Sequence, residues 1–463
     1  VSSNSHAPLA TPAAWQQGEL VELTITDLNH AGEGVGRYAG RVVFVPDTAP
    51  GDRLQVRLVR VKPQYAHGKI HEMLERSPQR VRPSCIVADK CGGCQWQHID
   101  YESQLAAKHH LVVQDLERLG GFYNPVVHPV LAASPLAYRN KATYPLGRSA
   151  TGQVQAGYYQ KGSHQLINLN QCPIQDASLN PLLAEVKQDL EQRGWSIYNE
   201  QQHRGKLRHL SLRSGRRTGE LLLTLVSTDN KLSGLEEQAQ TWLDRYPQLA
   251  GVLLNLNPDR TNAIFGETTH CIAGRPYLQE HFAGLQFHIH ATTFFQVNTE
   301  QAEALLQTIL NELRLQGHET VLDAYCGIGT LSLPLARQAQ QVFGIELQPE
   351  AVEQARQNAQ LNQIANATFY VGAVETLLRT LTIQPDIVVL DPPRKGCDPA
   401  VIDALLRMKS DRLVYMSCNP STLARDLKLL CQHGDYQLSY VQPADFFPQT
   451  AHVEAVAFLQ AEG

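Results

Sequence analysis

Late in the chain, four short apolar runs at residues 320–324, 341–345, 386–390 and 412–416 each give way to a stretch of helical character. That alternation limits the possible folds more than any other feature, because apolar strands interleaved with helices are those of a parallel sheet covered on both faces. From about residue 293 the sequence therefore predicts a doubly wound, Rossmann-like α/β domain. Sheets of this kind bind ligands beyond the carboxyl ends of their strands.

Chemistry-bearing residues sit at those ends. The first run passes into Asp323-Ala-Tyr-Cys-Gly327-Ile-Gly329-Thr330, whose glycines let the backbone approach a ligand. About 20 residues later the second run ends in Glu346, placed to accept hydrogen bonds from the ribose hydroxyls of an adenosine. The third runs into Asp391-Pro-Pro-Arg394-Lys-Gly396. A dinucleotide fold in the G-x-G-x-x-G pattern would carry glycine where Ser332 stands. S-adenosylmethionine has no phosphate and needs no such cradle, so the pattern points to a methyltransferase.

The fourth run leads into Ser417-Cys418-Asn419-Pro420-Ser421-Thr422, with a helix expected from about Leu423. A thiol just before a helix N-terminus is expected to have a lowered pKa and to suit a nucleophile. Such a thiol has a use in methyl transfer to carbon. C5 of uracil is a weak nucleophile until a group adds to C6, and addition of Cys418 there would give an enolate able to attack a sulfonium methyl. A base must then remove the C5 proton. Glu454, in His452-Val-Glu454-Ala455, is the candidate, with His452 as the competing base.

Upstream the rhythm differs. Between about residues 18 and 74, alternating β-branched runs (21–25, 41–45, 54–59) are separated by glycine-rich breaks, which predicts a small antiparallel barrel. Nucleic-acid contact is its expected role, and a packing module the alternative. Residues 83–96 hold three cysteines, a helix is expected over 101–119, and a mixed region follows with strands at 156–159, 221–226 and 251–255. The organisation expected is a loose tail over 1–17, a barrel over 18–77, a central α+β domain over 78–290 and a methyltransferase domain over 291–463.

Nine cysteines, without the basic start and apolar centre of a secretory signal, suggest thiols or metal ligation in a reducing, cytoplasmic setting. No stretch approaches the ~20 apolar residues of a membrane span. A net charge of -5 excludes binding to nucleic acid through bulk charge alone and leaves local patches. Arg204, Lys206, Arg208, Arg213, Arg216 and Arg217 fall together with no acid between them, and Tyr138-Arg-Asn-Lys141, Arg394 and Lys395 are further candidates for phosphate contact. Cys85-x5-Cys91-Gly-Gly-Cys94 supplies three thiolates in a short loop. With a fourth ligand these suit an iron-sulfur cubane or tetrahedral zinc, and the spacing leaves both open.

Taken together, Phe294-Phe-Gln-Val-Asn298, the 323–330 loop, Asp391-Pro-Pro-Arg394, Ser417-Cys-Asn-Pro420 and His452-Val-Glu454 resemble the RNA uracil-5-methyltransferases over nearly the whole chain. The N-terminal barrel resembles their RNA-binding TRAM domain, and the cysteine cluster that of the branch acting on 23S ribosomal RNA. The resemblance implies that Gln296, Tyr325, Glu346 and Asp391 bind S-adenosyl-L-methionine, that Cys418 is the nucleophile and that Glu454 is the general base. It also implies that Cys172 joins Cys85, Cys91 and Cys94 around a [4Fe-4S] cluster. Thr330 stands where some relatives place Asn, and Gly372 or Ala373 where an Asn helps to hold the adenine.

The expected activity is methylation of a uridine C5 in RNA, with 23S ribosomal RNA the first target and transfer RNA the second, by a monomer. One competitor is an exocyclic-amine methyltransferase, since Asp391-Pro-Pro-Arg394 loosely resembles the (Asp/Asn)-Pro-Pro-(Tyr/Phe) motif, but that chemistry leaves Cys418 without a role. The other is a non-catalytic RNA-binding or ribosome-assembly protein.

Overall fold

The computed structural model describes residues 15–432 and 434–462, so the tail expected over 1–17 lies outside the described residues except for its last three. The chain folds into two compact units.

The smaller unit carries a barrel of five strands: β1 (Leu20–Leu28), β2 (Gly34–Tyr38), β3 (Arg41–Val45), β4 (Arg53–Val61) and β5 (Tyr65–Glu75). Val21, Leu23 and Ile25 are buried while Glu22 and Thr24 between them are exposed, as a pleat with one face inward requires. Val43, Val45, Leu54, Val56, Leu58 and Ala66 complete the core. The ring closes in the order β1-β2-β3-β5-β4. A ring with an odd number of strands cannot be antiparallel throughout, and here β3 and β5 run parallel, with Phe44 opposite His67.

The larger unit holds two seven-stranded sheets. The central one has the order β12-β11-β10-β9-β6-β7-β8. Its strands are β6 (Lys141–Arg148), β7 (Val154–Tyr159), β8 (Leu166–Asn168), β9 (Leu207–Ser214), β10 (Leu221–Ser227), β11 (Leu249–Leu256) and β12 (Thr268–Gly274). Only β10 and β11 pair in parallel. A hairpin, β13 (Tyr277–Phe282) and β14 (Leu285–His290), follows it in sequence.

The second sheet comprises β15 (Thr320–Ala324), β16 (Gln341–Glu346), β17 (Ala367–Val371), β18 (Ile387–Leu390), β19 (Arg412–Ser417), β20 (Tyr436–Ala444) and β21 (Glu454–Ala461). Its order is β17-β16-β15-β18-β19-β21-β20. The first five strands are parallel, as expected. The last two are antiparallel, which the rhythm of alternating strands and helices did not announce. Successive residues supply opposite faces: Val321, Val389 and Val414 enter one core, Leu322, Val388 and Leu413 the other.

Before this sheet runs α1 (Tyr101–Asp115), which passes into a π-helical turn (Leu116–Gly120) rather than continuing as α-helix to residue 119. Gly121, at φ 74°, takes the left-handed conformation that ends it. No helix among the described residues is long and apolar enough to cross a membrane.

Candidate active site

The loop after β19 is shaped by a cap. The Asn419 side chain accepts the Ser421 N–H at 3.1 Å, and Pro420 fills the first turn of the following helix (Pro420–Cys431), where a missing N–H does no harm. Asn419 Nδ2 and Thr422 Oγ1 also donate to the Arg394 carbonyl, at 3.3 and 3.4 Å, tying this loop to the one after β18. Cys418 lies between strand and cap, half-buried.

Antiparallel pairing then brings a second group to the same edge. Ser417 pairs with Ala455, so Glu454, the first residue of β21, stands at the carboxyl end of β19 beside the thiol. Glu454 is buried, and burial, reinforced by Asp391 against the opposing pull of Arg394, pushes its carboxyl up to about 8. Burial holds Asp391 at about 6. The Cys418 thiol is raised as well, by burial first and then by Glu454 and Asp391, with Arg394 and its own backbone amide acting the other way. This corrects the expected lowering: loss of water and two acids outweigh the helix start. His452 is lowered by burial, then by Arg394 and Lys108.

Along the same edge, Asp323 is fully buried, takes a 2.5 Å hydrogen bond from Ser332 Oγ, and is held at about 7, chiefly by burial. Its Oδ1 has no partner. Glu346 accepts the N–H groups of Gly327 at 3.2 Å and Gln348 at 2.9 Å, which orients the carboxylate over the glycine loop. Tyr325 adopts φ 75°, unusual for a residue with a side chain, while its N–H donates to Ile345 O at 2.9 Å. Gln296 belongs to the segment before a helix (Thr299–Leu313) capped by Asn298, and its carbonyl accepts Asn140 Nδ2 at 2.9 Å. Phe294 is 66% exposed. Buried carboxyls with raised pKa values, one with an oxygen that accepts no hydrogen bond, suit a cationic ligand such as a sulfonium.

Four members of the basic run are engaged within the fold. Arg208 and Arg213 are buried, donating to the carbonyls of Asn257, Asp259 and Thr261 and of His290 and Thr293 respectively. Arg216 pairs with Asp176 at 2.5 Å and Glu300 at 3.0 Å, and Arg217 with Glu303 at 2.5 Å. The acids that neutralise these arginines lie far away in sequence, which is why the run looked unopposed.

Of the four cysteines expected to act together, Cys85 is partly exposed and Cys91, Cys94 and Cys172 are buried. In the smaller unit the Cys85 N–H donates to Gln97 Oε1 at 3.1 Å, and Cys94 is buried. In the larger unit Cys91 forms an isolated bridge with Gln160, and the Cys172 N–H donates to Asn180 Oδ1 at 3.1 Å. Among the described residues, no group of three or more His, Cys, Asp or Glu side chains is arranged to hold a metal ion. The geometry therefore lends no support to the expected four-cysteine cluster.

Sequence reasoning missed the residues that hold this edge in place. Asp426 accepts hydrogen bonds from Cys397 N at 2.9 Å and Tyr415 Oη at 2.5 Å and pairs with Arg425 at 2.7 Å. Asn419 carried a readable signal, the Asn-Pro pair of a capped helix start.

The family described as tRNA (Uracil-5-)-methyltransferase matches residues 100–462, and the TRAM domain matches residues 14–71. The chain is 67% identical to an RNA methyltransferase of Nostoc sp. over 97% of this chain and 98% of that one. It is 58% identical to an RNA methyltransferase of Synechocystis sp. over 98% of each. Among solved structures, the tRNA (uracil-54, C5)-methyltransferase of Pyrococcus abyssi in complex with S-adenosyl-L-homocysteine superposes with a TM-score of 0.75 at 28% identity, covering 95% of this chain and 100% of that one.

Proposed function

The chain belongs to the tRNA (uracil-5-)-methyltransferase family, and from that premise we propose that it methylates C5 of a uridine in RNA through a covalent adduct with Cys418. Gln296, Tyr325, Glu346 and Asp391 hold S-adenosylmethionine, which supplies an electrophilic methyl group on a sulfonium. Cys418 Sγ loses its proton to solvent and the thiolate bonds to C6 of the uracil, and the electron pair released toward O4 makes C5 nucleophilic. C5 takes the methyl group as the sulfur–methyl bond breaks. Glu454 then accepts the C5 proton, the ring double bond re-forms, and the C6–S bond breaks to free the thiolate, which solvent reprotonates.

The observation that carries this reading is the cross-strand placement of Cys418 and Glu454 at the open end of one ladder. A carboxyl raised to about 8 is a far stronger base, once ionised, than an exposed glutamate. His452 lies two residues away with its pKa lowered, which makes it the weaker base of the two.

Within RNA, 23S ribosomal RNA is the target we favour, on the spacing of Cys85, Cys91, Cys94 and Cys172 and the branch it resembles. The resemblance to that branch is also the ground for a [4Fe-4S] cluster, and iron and sulfide analysis of anaerobically purified protein tests it, with stoichiometric zinc lacking iron as the contrary result. Transfer RNA is the second reading, favoured by the substrate named for the Pyrococcus relative. The barrel serves RNA contact, and nine cysteines without a secretory signal suit a cytoplasmic enzyme. Mapping 5-methyluridine in both RNAs from a strain lacking the gene tests the assignment. Loss at a 23S position supports the first target and loss in transfer RNA the second; unchanged 5-methyluridine in both contradicts the proposed function.

A further inference from the structure

Two side chains of α1 reach the two loops on which the chemistry depends. Lys108 and Asp115 lie seven residues apart, about two turns, and so share one face of the helix. Lys108 Nζ donates to Asp445 Oδ1 at 2.6 Å and to Phe447 O at 3.2 Å, and neither charged side chain is exposed. Asp445 also accepts the Phe447 N–H at 3.2 Å, while its own N–H donates to Leu131 O at 3.0 Å. This fixes the chain just after β20, from which it returns to Glu454. At the other position, Ser421 Oγ donates to Asp115 Oδ2 at 2.7 Å. Ser421 is three residues beyond Cys418 and is the residue whose N–H the Asn419 cap receives. Between these contacts, Val112 and Leu116 pack into the same core as Leu423 and Leu427.

We propose that α1 is a brace that sets the separation of nucleophile and base, with Asp115 positioning the Cys418 loop for addition and Lys108 positioning the Glu454 segment for proton removal. The inference rests on the roles proposed above for Cys418 and Glu454. Neither Lys108 nor Asp115 touches substrate; each acts through the segment it holds. A buried ion pair does not stabilise a fold more than packed apolar residues would, so its presence here is better explained by the geometry it enforces than by stability.

The two roles leave different marks on the two halves of the reaction. RNA carrying 5-fluorouridine reports addition and methyl transfer alone, because fluorine at C5 cannot leave as a proton. With full-length Asp115→Ala, adduct formation on this RNA is expected to slow roughly ten- to a hundredfold, and turnover on uridine RNA to slow with it. With Lys108→Met, adduct formation on 5-fluorouridine RNA is expected at the wild-type rate, whereas turnover on uridine RNA falls roughly tenfold or more and a covalent complex with uridine RNA accumulates.

Merely structural damage at Lys108 would lower both rates by one factor and accumulate nothing. At Asp115 it would not be told apart by rate alone. Asp115→Asn, which keeps an oxygen for the Ser421 hydroxyl, is therefore expected to restore adduct formation, and failure of that rescue in a folded variant overturns the role of Asp115. If Lys108→Met does not fold, the paired change Lys108→Leu with Asp445→Leu removes both buried charges and is expected to show the same split. Proportional loss in both rates, or wild-type turnover, for the folded Lys108 variant overturns the brace. Absence of an adduct with the wild-type enzyme would instead overturn the role of Cys418.

Discussion

Ser417 and Ala455 face each other across the antiparallel β19–β21 ladder, and one step beyond them Cys418 and Glu454 emerge side by side. The antiparallel strand makes this possible. Parallel strands bring only their carboxyl ends to the binding edge, whereas a strand of opposite sense brings its first residue there. The proposed nucleophile, from the end of one strand, and the proposed base, from the start of the next, are thereby placed by backbone hydrogen bonds of one ladder. Asp391 and Arg394, from the neighbouring strand end, then set the charge around both.

This electrostatic setting fixes the sign of the pH dependence. Both the thiol and the Glu454 carboxyl are held protonated at rest, and both must lose a proton to act. kcat/KM is expected to climb with pH through about 8, where Glu454 ionises, and to go on climbing above it as the raised Cys418 thiol ionises. A methyl-incorporation profile that is flat on both sides of that pH would count against the assignment of both groups.

Stability should carry the same signature in reverse. Glu454 releases its proton at about 8 in the folded protein and near the ordinary value of 4.5 when unfolded. The fold thus binds the proton more tightly, and the stability linked to it, fully present below 4.5, is lost as pH rises through 8. Glu454→Gln cannot ionise. Its Tm is expected to exceed that of the wild type at pH 8 and to match it at pH 4.5, by scanning calorimetry, and an equal difference at both pH values would contradict the burial of an ionisable base.

Cofactor affinity tests the glycine-loop edge separately. The Glu346 carboxylate is oriented by the Gly327 and Gln348 N–H groups. Replacing it by Gln keeps a carbonyl but loses the charge-assisted bonds to the ribose, worth about 1.5 to 3 kcal/mol each. Titration calorimetry on Glu346→Gln is expected to show S-adenosylmethionine binding weakened roughly ten- to a hundredfold, with RNA affinity unchanged. Unchanged cofactor affinity would remove Glu346 from the site.

Beneath the nucleophile loop, Asp426 is 1% exposed and satisfies Cys397 N, Tyr415 Oη and Arg425 together. Truncation would strand Cys397 N and Tyr415 Oη, while Arg425 is half-exposed and stays solvated. Asp426→Ala is expected to cost about 2 to 4 kcal/mol in denaturant unfolding. A loss below about 1 kcal/mol would mean that water replaces the carboxylate without penalty.

Much of this edge was legible because strand ends are punctuated in sequence. Asp323, Glu346, Asp391 and Cys418 each follow an apolar run long enough to identify as a strand, and the parallel sheet puts their backbones in one row. Glu454 was a candidate base by residue type and segment, but nothing local says that β21 runs antiparallel and so brings it to Cys418. The direction of the Cys418 shift was misread because a helix start is visible in sequence while burial and neighbouring acids are not. Lys108 and Asp445 are 337 positions apart, and the arginines of the 204–217 run meet their acids only in the fold. Partners so distant have no periodicity to betray them.

The most direct test of covalent catalysis is to incubate the full-length protein with S-adenosylmethionine and RNA substituted with 5-fluorouridine, and to identify the cross-linked peptide by mass spectrometry. The expected result is a denaturation-stable protein–RNA complex linked through Cys418 and absent from Cys418→Ala, which also fails to methylate uridine RNA. Methylation of uridine RNA by Cys418→Ala at the wild-type rate, with no complex formed by either protein, would contradict the account.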